Sequence, residues 1–151
     1  MIILYKRHKI TLFIVFIFSC IILIFFKLNY TNLIAEVISI NGIFLTVYTL
    51  SLSGLIANSR LCKNLSNEEI EKFSSTSKLG AIIKYYKLGY KSSILSIGFI
   101  YSSNLLLKVN LINKFFLELL NCFSFSLLNI NFFITIYIIN FILNFQLRRF
   151  E

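Results

Sequence analysis

The chain has 151 residues, 58% of them apolar and 14% charged, with a net charge of +9 from 15 Lys plus Arg against 6 acidic residues. Mean hydropathy is +0.82, and an apolar share so far above the roughly 45–50% of soluble domains needs lipid to cover it. A soluble domain is therefore excluded, and the positive charge reads as Lys and Arg flanking membrane spans and meeting anionic headgroups, with no direct nucleic-acid partner.

Ile, Phe, Asn, Lys and Tyr make up 76 residues. All five have AT-rich codons, so part of the Asn and Lys content reflects the bias of an AT-rich bacterial or mobile-element gene.

The first apolar run, Ile10 to Phe26, lies between Lys9 and Lys27 and carries no charge. It is long enough to cross a hydrocarbon core of about 30 Å. The basic tail before it and the IFSC at 17–20 resemble a signal peptide with a cleavage site. Six more apolar residues, IILIFF, follow Cys20, so the run is read as a retained first span. His8, in the basic tail, is placed in solvent or at the headgroups.

The second span is 33–57. Its polarity is ordered: Ala35, Ser39, Gly42, Thr46, Thr49 and Ser53 alternate in steps of four and three and share one helical stripe. Small residues in lipid let backbones approach closely. The stripe is predicted to be a helix-packing face, within the chain or between copies.

Residues 58–91 form the only sizeable polar segment. Ser66 and Glu69 fit a capping box, with Leu65 and Ile70 at the staple positions, which predicts a short helix over about 67–73. From Leu79 a second helical pattern begins. Leu79, Ile82, Ile83, Tyr86 and Tyr90 share one face, and Lys84, Lys87 and Lys91 form a stripe beside it. This reads as an interfacial helix, with Tyr86, Tyr90 and the three lysines at the lipid interface, running straight into the third span.

The third span, 92–107, is short, and its flanking lysines lengthen it by snorkelling. Gly89, Ser93, Ser96 and Ser103 share a stripe that could pack on the stripe of the second span. The last apolar run, Phe115 to Phe145, exceeds what a bilayer requires. A lead-in at the interface over 115–122 and a span at 123–145 are expected, stopped by Arg148 and Arg149. The fold class is thus an all-α integral membrane protein, a single domain with about four transmembrane helices and a short cytoplasmic helical loop.

Charge sets the orientation. With four spans, the N-tail, the 58–91 loop and the C-tail share one side and carry 12 Lys plus Arg, against Lys27, Lys108 and Lys114 on the other. The richer side is placed in the cytoplasm of an inner-membrane protein, both termini included.

Little in the chain could carry chemistry. His8 has no Cys or carboxylate cluster with which to ligate a metal. Cys20, Cys62 and Cys122 are scattered singly and without CxxC spacing, and Cys20 and Cys122 act as small apolar residues. No metalloprotease, serine-hydrolase, nucleotide or dinucleotide motif occurs. No catalytic, cofactor-binding or metal-binding residue is assigned, and the chain is not expected to be an enzyme. Glu36 and Glu118 read as interfacial anchors near the ends of their segments, the alternative being a functional intramembrane charge. Asn41, Asn104, Asn121, Asn129, Asn131 and Asn140 read as interhelical hydrogen-bonding groups, the alternative being a polar pore lining.

The stretch IAEVISINGIFLTVYTLSLSGLIANSRL, followed by a short charged loop and KLGAIIKYYKLGYKSSILSIGF, resembles the small multi-pass membrane effectors of bacterial anti-phage systems, the retron-associated ones in particular. The resemblance covers about residues 33–100. It implies a toxin-like protein held silent by protein partners and released on infection to damage the inner membrane. No catalytic residue carries over, since such effectors need none. Two other readings share the composition: an immunity or superinfection-exclusion protein, and a structural subunit of a larger membrane complex. Membrane lipids, together with protein partners or further copies of the chain, are the expected contacts.

Overall fold

The computed structural model describes residues 2–26, 34–67, 77–109 and 114–147. They form five helices: α1 (Ile2–Phe26), α2 (Ile34–Ala57), α3 (Ser59–Asn67), α4 (Lys78–Val109) and α5 (Lys114–Leu147). The all-α fold expected from the sequence is what the chain adopts.

Three stretches are long and apolar enough to cross a bilayer: His8–Phe25, Ile34–Ala57 and Lys114–Leu143. Only 11%, 17% and 28% of their residues are buried within the protein, so the rest of these surfaces is left for lipid. The chain is a helical membrane protein. α4 falls short of the same apolarity, because lysines punctuate its first half and serines its second.

α4 packs between α2 and α5, and α1 lies against α5. Pair contacts set the directions. Ser92 and Ser96 meet Asn131 and Ser124, so α4 and α5 are antiparallel. Ser96 bonds Asn41 and Tyr90 bonds Thr49, so α2 opposes α4. His8 stacks on Tyr137 and Ser19 bonds Asn129, so α1 opposes α5. One end of the bundle, called here the His8 end, thus gathers the start of α1, the end of α2, the start of α4 and the end of α5. The main apolar core lies there, around Tyr48, Leu55, Leu65, Ile82, Tyr86 and Ile134. A smaller cluster of Val37, Ile100 and Leu128 fills the other half.

Local signals explain the helix boundaries. Asn58 is the single residue between α2 and α3. Its N–H donates to Gly54 O (3.2 Å) and its carbonyl accepts from Cys62 N (2.9 Å), closing one helix and opening the next. Ser77 caps α4, accepting the Gly80 N–H on its hydroxyl at 3.2 Å, a contact worth about 1 kcal/mol.

Two sequence expectations change. Ser66 is no N-cap: it lies inside α3, near its end, and its hydroxyl donates to Lys63 O (2.7 Å). Asn58 opens a helix before it, Leu65 is drawn into the core, and of the helix expected over 67–73 only Asn67 is described, at the end of α3. Residues 68–73 of that expected helix, and Glu69 and Ile70 with them, lie outside the described residues, as do Arg148 and Arg149. The lead-in at 115–122 is not a separate element, because α5 runs unbroken from Lys114 to Leu147. No Pro or Gly interrupts the segment, so nothing in it kinks or breaks the helix. The continuity expected between the 79–91 helix and the segment at 92–107 is present as α4.

Candidate functional site

The polar side chains of α2, α4 and α5 converge on a seam inside the bundle. Asn41, Ser93, Ser96, Ser124 and Asn131 are fully buried, and Ser92 nearly so. α4 supplies the middle of the seam because Gly89, Ser92, Ser93, Ser96 and Ser103 share its inward face. Small side chains let its neighbours approach closely.

The seam is hydrogen-bonded within itself. Asn41 Nδ2 donates to Ser96 Oγ (2.9 Å) and to its own helix at Val37 O (2.9 Å). Ser96 and Ser124 exchange bonds across α4 and α5, each hydroxyl donating to the other's carbonyl at 2.8 Å. Asn131 Nδ2 donates to Asn41 Oδ1 (3.0 Å), and the Ser92 hydroxyl donates to Asn131 Oδ1. Turned over, the Asn131 amide would instead donate to Gly89 O (3.2 Å) and accept from Ser93 Oγ (2.9 Å). In either orientation it ties α5 to α4. Such interhelical bonds average about 0.6 kcal/mol each in a membrane, reaching roughly 1–2 at best. The network therefore specifies register more than it adds stability.

Tyr48 closes the seam toward the His8 end. Its hydroxyl donates to Asn131 O (3.0 Å) and shares a bond with Thr135 Oγ1 (3.1 Å). Its ring meets Tyr86 edge-on, with centroids 6.2 Å apart. Its edge lies over Gly89, where an added Cβ would come within 2.6 Å of Cε2.

A second polar stripe lies on the opposite face of α5 and holds α1. Asn129 Nδ2 donates to Ser19 Oγ (3.0 Å), and Ser126 Oγ bonds Cys20 Sγ (3.1 Å). Ser124, Asn131 and Thr135 face α2 and α4, whereas Cys122, Ser126 and Asn129 face α1. Both sets follow the three-and-four spacing of a helix. Nearer the start of α1, His8 Nδ1 and Tyr85 Oη share a short hydrogen bond, and the imidazole stacks flat on Tyr137 at 3.9 Å.

The chain matches no family model, no curated protein and no solved structure.

Several residues singled out from sequence take other places. Ala35, Ser39, Thr46, Thr49 and Ser53 are exposed, and Gly42 is half-buried with open space beyond it. The stripe is not the packing face of α2 within the chain. Val37, Asn41, Tyr48 and Leu55 are, because they can meet the serine face of α4 with larger groups. The threonine hydroxyls stay satisfied by donating to carbonyls of their own helix, Thr46 to Gly42 and Thr49 to Leu45.

Tyr86 is not at a lipid surface: it is 1% exposed, within the Tyr48 core. Tyr90 is half-buried and bonds Thr49 Oγ1 at 2.7 Å. Their shared face with Ile82 is packed against α2 and α5, which leaves it no free apolar side to lay on lipid as the interfacial helix expected at 79–91. Lys84, Lys87 and Lys91 are exposed on the outward face of α4, as expected. His8 is half-buried between two tyrosines and not simply solvated. Cys20 is a hydrogen-bonding residue. Glu36 and Glu118 are exposed. Among the described residues, no group of His, Cys, Asp and Glu could hold a metal ion.

The serine stripe of α4 was legible in the sequence; its partners were not. The heptad spacing Ser124–Asn131 and the steps Cys122–Ser126–Asn129 were the available signals, hidden among the many Asn of an AT-rich composition.

Proposed function

We propose that the protein is a toxin-like effector of the bacterial inner membrane that perturbs the bilayer as part of antiviral defence, acting on lipid without catalysis, with both termini in the cytoplasm. The resemblance over residues 33–100 supports this reading. The observation that carries it is the sealed seam. A line of Asn, Ser and Tyr groups is stored between membrane-length helices, with Asn41, Tyr48, Ser92, Ser96, Ser124 and Asn131 hydrogen-bonded within the bundle at rest. Parting α2 from α4 and α5, or exchanging these bonds for equivalent ones between copies, would present that line to water across an apolar shell. Such a switch requires only that the two packings differ by a few kcal/mol.

Expression of the gene alone in a bacterial host is the test. Growth arrest with depolarisation is the expected result, weakened by Asn41→Leu with Asn131→Leu, provided the variant inserts normally. Harmless expression under every trigger would overturn the effector reading. It would favour an immunity protein or a subunit of a larger complex, for which the outward small-residue stripe of α2 offers a contact surface.

A further inference from the structure

The outward face of α4 carries exposed lysines at a depth where its neighbours are apolar. The hydrogen bonds fix that depth. Lys91 adjoins Ser92, which bonds Asn131. Asn131 lies two positions from Asn129, the partner of Ser19, which puts Lys91 level with Ile17 of α1. Counting instead from the stack of His8 on Tyr137, six residues along each helix, puts it level with Ile14. Lys91 therefore lies about 8–12 Å deeper than Lys9, at 1.5 Å per residue.

At or outside that depth the other helices show apolar surface. On α1, Phe13 and Ile14 are 64% and 58% exposed. On α2, Leu50 follows the Thr49 that bonds Tyr90, and it is 67% exposed. On α5, Ile139 and Leu143 are exposed beyond Tyr137. Each of these three helices shows large apolar side chains and uncharged polar ones at this level, whereas on α4 the charges of Lys84, Lys87 and Lys91 descend in a single stripe and notch the apolar girdle. Below the notch, Ile94 and Leu95 restore a lipid-facing surface.

We infer that anionic phospholipid headgroups fill this notch, so that the bilayer is thinned along the α4 flank of the bundle. Phosphate complements the three ammonium groups. A second copy offers no described carboxylate at this level, since Glu36 and Glu118 start α2 and α5 at the opposite end. Lysine stems recover part of the depth by snorkelling, and lipid displacement supplies the remainder. Of about 10 Å of helix rise, stems recover about 6 Å, leaving the headgroup boundary drawn in by about 4 Å. This deepens the proposed action on the bilayer, but its measurement needs no toxicity, so either idea can fail alone.

The chain has no Trp, so one introduced indole reports its own depth. Ile94→Trp probes the α4 flank, and Phe18→Trp probes α1 at the same level. The full-length protein is placed in vesicles of phosphatidylcholine and phosphatidylglycerol with acyl chains brominated at shallow or deep positions. The Ile94→Trp indole is expected about 4 Å shallower relative to the headgroups than the Phe18→Trp indole. The difference should shrink by at least half with Lys84→Gln, Lys87→Gln and Lys91→Gln combined, and survive the matching Arg variant, which controls for folding. Equal depths overturn the inference, as does a difference that the Gln variant leaves intact. An Ile94→Trp indole that no brominated lipid reaches also overturns it, since protein would then cover this face.

Discussion

The ring of Tyr48 rests on the backbone of Gly89, so close that a Cβ added there would lie 2.6 Å from ring carbon Cε2 and 2.7 Å from Cζ. Tyr48 cannot yield easily, because its hydroxyl is committed to α5 and its ring is wedged against Tyr86 and Tyr90. Gly89→Ala should therefore destabilise the bundle by about 1–3 kcal/mol, the usual cost of overpacking. Gly98 has nothing within 4 Å of an added Cβ. Gly98→Ala should be neutral or stabilising by up to about 1 kcal/mol, through helix propensity alone. Unfolding in mixed detergent checks both, and equal effects would refute the contact.

Asn41 and Asn131 should be energetically coupled. Either single change to Ala leaves the partner amide short of a bond, so the double variant should lose less than the sum. A coupling of about 0.5–1.5 kcal/mol is expected in a double-mutant cycle in detergent or bicelles. Asn140, exposed on α5, is the control, and Asn140→Ala should be additive with either. Additivity between Asn41 and Asn131 would show that the amide turns toward Ser93 instead.

The first turns of α1 should loosen in a graded way. Tyr137→Phe keeps the ring under His8 and should be silent. Tyr85→Phe removes the hydrogen bond, and His8→Ala removes bond and stack together, the latter costing about 1 kcal/mol. Amide exchange over residues 8–12 should rise in that order, while residues 19–23, held by Asn129 and Ser126, stay protected. Uniform loosening of α1 would refute a local role for His8.

All four long helices should cross the bilayer, α4 included, although its composition alone does not qualify it. It is clasped by α2 and α5 from Tyr85 to Ile100, so it must cross where they do. Four of its five serines, Ser92, Ser93, Ser96 and Ser103, are buried against protein. Reporter fusions at residue 75 and after Glu151 should give the same side as the N-terminus, and an insertion at residue 111 the opposite side. Cys62, half-buried on α3, should react with an impermeant maleimide only from the side of the N-terminus, and buried Cys122 from neither.

The existence of the long helices was legible, because apolar runs of membrane length leave few alternatives: the apolar segment at 33–57 and α2 differ by one residue, although α1 and α5 extend well before the spans expected at 10–26 and 123–145. Which face turns inward was not. On α2 the small-residue stripe suggested close packing, yet Asn41 and Tyr48 on another face won, because a large residue fills the groove that serines on α4 leave. Two small stripes brought together would have left a void unless the backbones nearly touched. Tyr86 misled for a related reason. An aromatic beside lysines has the pattern of an interfacial anchor, and only the position of Gly89 against Tyr48 shows it to be core.

α5 bears a polar stripe on each of two opposite faces, and each stripe has its own client helices. It also leaves the ribosome after α1, α2, α3 and α4. Until it arrives, Ser19 and Ser92 lack the Asn129 and Asn131 they bond in the finished bundle, and Asn41 and Ser96 have each other but not Asn131 and Ser124. Insertion of the earlier helices is therefore provisional, and α5 acts as the keystone that commits them. A chain stalled or cut before residue 114 would keep these hydroxyls and amides searching for other partners in the membrane, the kind of species that membrane quality-control proteases remove.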